Sequence, residues 1–494
     1  MDIFVLRKYF IIVQVFVFLL ALLYDFMVGN SDDYTIILFY SLWNIGSYLW
    51  LFFKELMLAP DFHPYQILAL VSAQFIGVSG ISIYLQLMSG ESILFGSTVI
   101  THALYQGIIY LSLQHILLFA VFFFMENRHK DDEENTMYIA DKIMNSNVPY
   151  FKWALYFYVF VWVMRIISLL VPLDSISSLF VTLATGGYIV TLFLLTFAMI
   201  QNPLGRKEKM WHWGIVALEI ALVMNHGMKE EIIRPLVPYC VHILILYKAG
   251  YKRFNSKTIM QVGLIGAFVI LFVFPYISIF RTISSSTGKK WNQITTSEAL
   301  SEYMKYINKE GKYAYDEEER GAGYMMSRAG SLGGNTFSID YAKTKGTQPQ
   351  YLAYCGAAII PRFIWKDKPP VVTGGMAYML ATKNSNWSNA KSSDAYGCSV
   401  SLGYIGSLYF SIGFWGAILV ICLQSLLLWY LWHFYKNKIL YNVVAVWAFS
   451  SLIFVLLKDF EAFADCGLSF CTWAFVYVFI CSKIFPGPKY LIES

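Results

Sequence analysis

Runs of roughly twenty apolar residues recur along this chain, and each is close to the length an α-helix needs to cross a hydrocarbon core of about 30 Å. They fall at 8–28, 34–53, 66–88, 101–125, 150–171, 178–200, 211–225, 232–248, 258–280, 402–432, 439–457 and 466–482. Such a pattern excludes an ordinary soluble globule. With 57% hydrophobic and only 14% charged residues, the chain has too few ionisable groups to solvate a surface of 494 residues. The expected fold is therefore all-α: a polytopic integral membrane protein of about twelve transmembrane helices. The runs at 211–225 and 232–248 are the shortest, and Met224-Asn225-His226-Gly227 between them reads equally as a tight or re-entrant turn.

Lysine and arginine bias in the short loops sets the orientation. With the N-terminus inside, seventeen cations face the cytoplasm: Arg7, Lys8, Lys54, Arg128, Lys130, Lys142, Arg206, Lys207, Lys209, Lys248, Lys252, Arg253, Lys257, Lys436, Lys438, Lys483 and Lys489. The opposite short loops hold three, namely Lys229, Arg234 and Lys458. Both termini are then cytoplasmic. The chain divides into an N-terminal bundle over 1–280 (about nine spans), a large, partly helical extracytoplasmic loop over 281–400 and a C-terminal bundle over 401–494 (about three spans). The first run follows Arg7-Lys8 but is long and lacks a small-residue cleavage pattern, so it reads as a retained helix. The formal charge of +5 follows from the same inside bias and gives no reason to expect a nucleic-acid partner.

Seven cysteines are too scattered for a disulfide framework, and none has the spacing of a metal site. Cys355 and Cys398 both fall in the outer loop, where an oxidising compartment permits a disulfide between them. No internal repeat is visible, which removes one argument for a secondary transporter. The acidic and basic run from Arg128 to Glu134 reads as a solvated surface segment.

The outer loop differs from its surroundings: polar, rich in Gly, Ser, Tyr and Lys, yet broken by apolar stretches. Over Ser297–Lys309, Leu300, Tyr303, Met304 and Ile307 recur at helical spacing, which predicts an amphipathic helix on the outer membrane surface. From Arg320 to Ser338, glycines mix with Tyr324-Met325-Met326 and Arg328; Gln350–Ile360 then runs apolar into Pro361. A loop of this length with structure of its own is the natural place for a site.

The sharpest local feature is Pro361-Arg362-Phe363-Ile364-Trp365-Lys366-Asp367-Lys368-Pro369-Pro370. Arginine binds phosphate as a fixed fork, lysine as a point charge, and an aromatic ring offers its face to a sugar. Prolines at both ends lower the ordering cost of binding. This set suits a phosphorylated glycan; on residue types alone it equally suits a basic, aromatic turn anchored at lipid headgroups.

The stretch resembles the Pro-Arg-aromatic-x-Trp-x-x-Lys-Pro segment in the major outer loop of Wzy-type O-antigen polymerases, also called oligosaccharide repeat-unit polymerases. Ser327-Arg328 lies a few dozen residues upstream, and Gly403-Tyr404-Ile405-Gly406-Ser407-Leu408-Tyr409-Phe410-Ser411-Ile412-Gly413-Phe414-Trp415-Gly416 resembles the family's Gly-Glu-x-Tyr-x-Asn-Phe-Gly-x-x-Gly pattern. Ser407 stands where that family has Glu, and Ser411 where it has Asn. The motifs cover about residues 320–416; the rest matches by topology alone.

The resemblance implies polymerisation of polyprenyl-pyrophosphate-linked oligosaccharide repeat units into O-antigen, capsule or exopolysaccharide at the outer face of the cytoplasmic membrane, without cofactor or metal. It also implies a flippase and a chain-length regulator as partners, beside the lipid-linked substrate and the membrane lipids. Arg362 and Arg328 are the expected catalytic contacts to pyrophosphate, with Trp365, Lys366 and Lys368 as substrate-binding helpers. Glu319, Asp340, Asp394 and His226 are candidate bases, whereas Asp367, between two lysines, suits an ion pair. Arg281, at a span end, reads as a snorkelling side chain.

Ionisable groups within the runs need a reason to be there. Arg165 and Glu219 are explained either by an ion pair or by a substrate-facing cavity; in the second case Arg165 and Arg234 become further phosphate contacts. His102, Gln106, Gln114 and His115 form a polar stripe suited to interhelical hydrogen bonds. Alternatives to the polymerase are an O-antigen ligase with the same donor, a transporter or flippase for lipid-linked glycans, and a structural envelope subunit.

Overall fold

The computed structural model describes residues 2–28, 34–59, 61–89, 94–95, 98–99, 104–129, 139–170, 174–223, 234–250, 294, 296–308, 332–349 and 402–438, with five isolated positions at 260, 264, 276, 283 and 453. Apart from one two-residue antiparallel pairing of Leu94–Phe95 with Thr98–Val99, the regular structure there is helical. Among the described residues, six helices are long and apolar enough to cross a membrane: Ile3–Met27, Thr35–Leu58, Pro64–Met88, Tyr105–Arg128, Tyr150–Leu170 and Tyr404–Phe434. The runs at 258–280, 439–457 and 466–482 lie outside the described residues save for single positions.

The chain forms two compact units. One comprises Met1–Ala59, His63–Thr136 and Ala322–Ser494; the other comprises Pro60–Phe62 and Met137–Gly321. In the first unit, α1 (Ile3–Val28) packs against α5 (Leu104–Arg128), and α2 (Thr35–Leu58) packs along a third span built from α3 (Pro64–Ser72), a π-helical turn (Ala73–Val78) and α4 (Ser79–Met88). Pro64 opens that span at a position where its missing N–H costs nothing.

The second unit contains α6 (Ile139–Met144), α7 (Tyr150–Leu170), α8 (Asp174–Gln201) and α9 (Arg206–Val223). It continues with α10 (Val237–Lys248), which follows a 3₁₀ turn at Arg234–Leu236, and with α11 (Thr296–Ile307). The buried face of α7 is Tyr150, Ala154, Phe157, Tyr158 and Val161, spaced to form one stripe against α8. On α9 the buried stripe is His212, Ile215, Val216 and Glu219. The sequence expects a span over 232–248, yet α10 has only 12 residues, with Pro235 just before it and Pro238 at its second position. At 1.5 Å per residue it rises about 18 Å, well short of a bilayer core. In α11 the amphipathic pattern expected over 297–309 is present, but its apolar residues divide. Ala299 and Tyr303 are buried, the latter edge-on to Tyr276, while Leu300 and Met304 stay exposed.

The main departure from the sequence reading is α12 (Leu332–Lys345). This stretch is polar and glycine-rich and reads as loop, yet it packs against α5 and against α13 (Tyr404–Lys438) in the first unit. Its buried face contains Asn335, Thr336 and Ser338. Two of the polar atoms there are bonded locally or across the contact: Ser338 donates to Gly334 O, and Asn335 Oδ1 accepts the Gly406 N–H at 2.8 Å. The second bond satisfies one of the orphan donors at the start of α13, a cap supplied from another helix. A Cβ at Gly406 would lie 2.7 Å from that same oxygen, so the close approach requires glycine.

Helix α13 breaks at Gly413, where φ is 74° and ψ is −175°, a conformation open to glycine alone. The segment after α12 closes the gap: the Gln348 N–H donates to Phe410 O at 2.7 Å. Asn335→Ala is expected to cost about 1–3 kcal/mol, because it strands the buried Gly406 N–H. A lowered melting temperature of the detergent-purified protein checks this, and an unchanged one shows that the cap is dispensable.

Candidate functional site

Of the residues singled out by the sequence, Arg328, Arg362, Trp365, Lys366, Lys368, Glu319, Asp394 and His226 lie outside the described residues, as do His102, Arg281, Asp367, Cys355 and Cys398. Arg165, Arg234 and Asp340 are described. Arg165 is held by α7 opposite Glu219 of α9, with Nη1 and Nη2 donating to the two carboxylate oxygens at 2.8 and 2.6 Å. The Tyr158 hydroxyl donates to the same carboxylate at 3.2 Å, and the guanidinium lies 5.2 Å from the Trp162 ring centre. Of the two explanations open for these residues, the ion pair is the one present. Both terminal nitrogens of Arg165 are occupied by Glu219, which leaves little of the fork for a phosphate. Arg234 opens the 3₁₀ turn before α10 and is partly exposed, and Asp340 is exposed on α12.

A second ionic cluster binds α1, α2 and α5. Arg7 is counted among the inside loop cations on the sequence, but it is 4% exposed within α1. It donates from Nε and Nη2 to Glu55 at 2.7 and 2.8 Å, and from Nη1 to Glu126 at 2.8 Å. The Tyr65 ring lies under the guanidinium at 4.2 Å. His63 Nδ1 accepts the Tyr65 N–H at 3.2 Å, so the ring proton falls to Nε2, which faces the remaining oxygen of Glu126. These groups occupy one another and form a structural knot.

A further set of described polar side chains lies where α1 ends and α5 begins. Gln106 Nε2 donates to Asp25 Oδ2 at 3.1 Å, and Lys343 Nζ donates to Gln106 Oε1 at 2.7 Å. Lys343 thus joins α12 to α5 and lies 5.5 Å from the Tyr110 ring centre. Desolvation by the surrounding protein lowers its pKa from the ordinary lysine value, with Asp25 and Asp340 opposing, although the side chain keeps a solvent-facing side. Tyr110 meets Tyr409 at 5.4 Å and Phe414 at 5.6 Å, so its neighbours come from both sides of the Gly413 break. Trp415 beside Phe414 is 79% exposed. Tyr24 and Tyr40 bracket Tyr105 on the same side of the unit.

Two members of the expected polar stripe make interhelical bonds: Gln106 as above, and His115 Nδ1 with Ser72 Oγ at 2.7 Å. Ser407 and Ser411, which replace the acidic and amide positions of the polymerase pattern, donate to the carbonyls four residues back, Gly403 O and Ser407 O, and are buried. They offer no equivalent of a carboxylate. Asp25 and Lys343 were missed by the sequence reading. Asp25 had a signal, being an acid inside an apolar run; Lys343 had none, because nothing local places α12 against α5.

No group of three or more metal-ligating side chains occurs among the described residues. No family model matches the chain, and neither a curated protein nor a solved structure matches it.

Arg165→Ala is expected to destabilise by about 3 kcal/mol, the low end of the range for stranding a buried carboxylate, since 23% of the arginine side chain is accessible while none of Glu219 is. The double change Arg165→Met with Glu219→Leu recovers most of the loss, as thermal unfolding in detergent would report. Failure to recover would give the pair a role beyond its own neutralisation.

Proposed function

We propose that this protein polymerises polyprenyl-pyrophosphate-linked oligosaccharide repeat units at the outer face of the cytoplasmic membrane. The observation that carries the reading is the Pro361–Pro370 stretch, with its fork-shaped cation, two further cations and aromatic faces confined between prolines. Two placements support it: several helices suited to a membrane, and a helix from the large polar loop that seats against α5 and α13 and brings an amine to a partly open aromatic patch.

The reaction makes two demands. A hydroxyl of the incoming lipid-linked unit attacks the anomeric carbon of the growing chain, whose bond to the pyrophosphate oxygen breaks as the lipid pyrophosphate leaves. Arg362 and Arg328 stabilise charge on the departing pyrophosphate, with Lys366 and Lys368 adding to the field and Trp365 contacting sugar. The hydroxyl proton passes to a carboxylate or imidazole, for which Asp394, Glu319 and His226 remain the candidates. Energy for the transfer comes from the glycosyl-pyrophosphate bond, so no cofactor is required. In this reading both termini are cytoplasmic and the loop over 281–400 is outside.

A transporter or flippase of lipid-linked glycans is the second reading, favoured by the break in α13 at Gly413, since unwound spans often line substrate paths. Against it, Arg7, Glu55, Glu126, Arg165 and Glu219 bind one another inside the units. An O-antigen ligase shares the donor chemistry and differs in its acceptor.

The test is a glycan ladder from cells lacking the native protein and complemented with wild type, Arg362→Ala, Arg328→Ala or Arg281→Ala, at matched membrane levels. Removing either phosphate contact is expected to lower chain extension at least 100-fold, in line with about 3 kcal/mol of transition-state charge stabilisation, and to leave single repeat units. Arg281→Ala keeps its ladder. Normal ladders throughout would overturn the assignment.

A further inference from the structure

Resting on that reading, we infer that the patch formed by Tyr110, Tyr409 and Phe414 with Asp25, Gln106 and Lys343 is a saccharide subsite that holds the terminal sugar of the incoming repeat unit. The rings present partly exposed faces whose centres lie 5.4–6.4 Å apart, an area suited to the C–H face of a pyranose. At their border lie an acceptor and a donor of opposite charge. Among the described residues only Gln106 donates to the Asp25 carboxylate, so that acid keeps capacity for sugar hydroxyls. Lys343 has three donors, one of which is committed to Gln106. Gln106 fixes both: its amide nitrogen is turned to Asp25 and its oxygen to Lys343, which sets the two charged groups in register without letting them neutralise each other directly.

The elements that carry the patch are braced. Asn335 ties α12 to the start of α13, and Gln348 ties the segment after α12 to Phe410, three residues before the Gly413 break. The break lets Tyr409 and Phe414, five positions apart, both reach Tyr110. An aromatic belt at a membrane surface explains rings alone, but it calls for neither the carboxylate nor the bridging amide. A subsite uses all six groups: stacking selects a sugar ring, and the paired hydroxyl contacts select its orientation.

Repeat-unit oligosaccharide released from its lipid carrier by mild acid provides the probe. Its binding to the purified full-length protein in nanodiscs is measured by saturation-transfer NMR, alongside the ladder assay in cells. Asp25→Asn, Lys343→Met and Tyr409→Ala are each expected to weaken binding at least tenfold, with KM for the lipid-linked unit rising in parallel and kcat changing less than twofold. Tyr409→Phe, which keeps the ring, binds within threefold of wild type and guards against misfolding as the cause. Wild-type binding in all the truncating variants overturns the subsite and leaves a membrane-interface belt. The Arg362→Ala ladder reports on the polymerase separately: a normal ladder there, with binding still dependent on Asp25 and Tyr409, removes the polymerase and keeps the saccharide site.

Discussion

A charge inside an apolar bundle must be neutralised at short range, and in this protein that requirement fixes which helices are neighbours. Arg7 engages Glu55 and Glu126 at once, so α1, α2 and α5 meet at one point, and His63 extends the knot to the start of the third span. Removing one partner would leave an uncompensated buried charge, a penalty of about 3–5 kcal/mol in typical cases. The cluster therefore acts more as a specification of neighbours than as a source of net stability. Arg165 and Glu219 impose the same condition on α7 and α9 in the other unit.

A second constraint concerns a helix that does not look like one. Gly333, Gly334, Asn335, Thr336 and Ser338 give α12 little intrinsic helix propensity and no apolar stripe. What holds it is tertiary: small or absent side chains on α5 and α13, where Gly107 faces Thr336 and Gly406 faces Asn335, let backbones approach closely, and Asn335 Oδ1 takes up the Gly406 N–H at the contact. Glycines in the Gly403–Gly416 stretch thus have physical duties here, one at a close approach and one at a break, whatever the ancestry of the pattern.

The long apolar runs were legible because membrane solvation acts on each segment separately; α1, α2, α5 and α7 can be read from length and composition alone. The helix over 297–309 was legible from periodicity, but the division of its apolar face was not, since the burial of Tyr303 depends on Tyr276 from elsewhere in the chain. The π-helical turn at Ala73–Val78 and the break at Gly413 left no distinct trace within apolar runs. Arg7 misled for a related reason. A cation near the start of a run looks like a flank, and only its two distant carboxylates reveal that it lies inside. For the candidate site, the cation-rich motif over 361–370 could be read locally, whereas Asp25, Gln106 and Lys343 come from three segments and become a group only on folding.

The distribution of occupied and unoccupied polar groups bears on function more directly than the number of spans. In both units the arginines and glutamates described above are turned on one another, which commits them to architecture. At the ends of α1 and α5 the arrangement is different: a carboxylate and an amine flank partly exposed rings, bridged by an amide that keeps them apart. Burying such groups without a partner would be costly, and their persistence at an accessible edge is economical only if water or a polar ligand completes their shells. A glycan is a polar ligand with an apolar face, so it can meet the ring surfaces and the hydrogen-bonding groups together. On the proposed reading, that match of chemistry joins α12 to the cation-rich Pro361–Pro370 stretch in a single functional account.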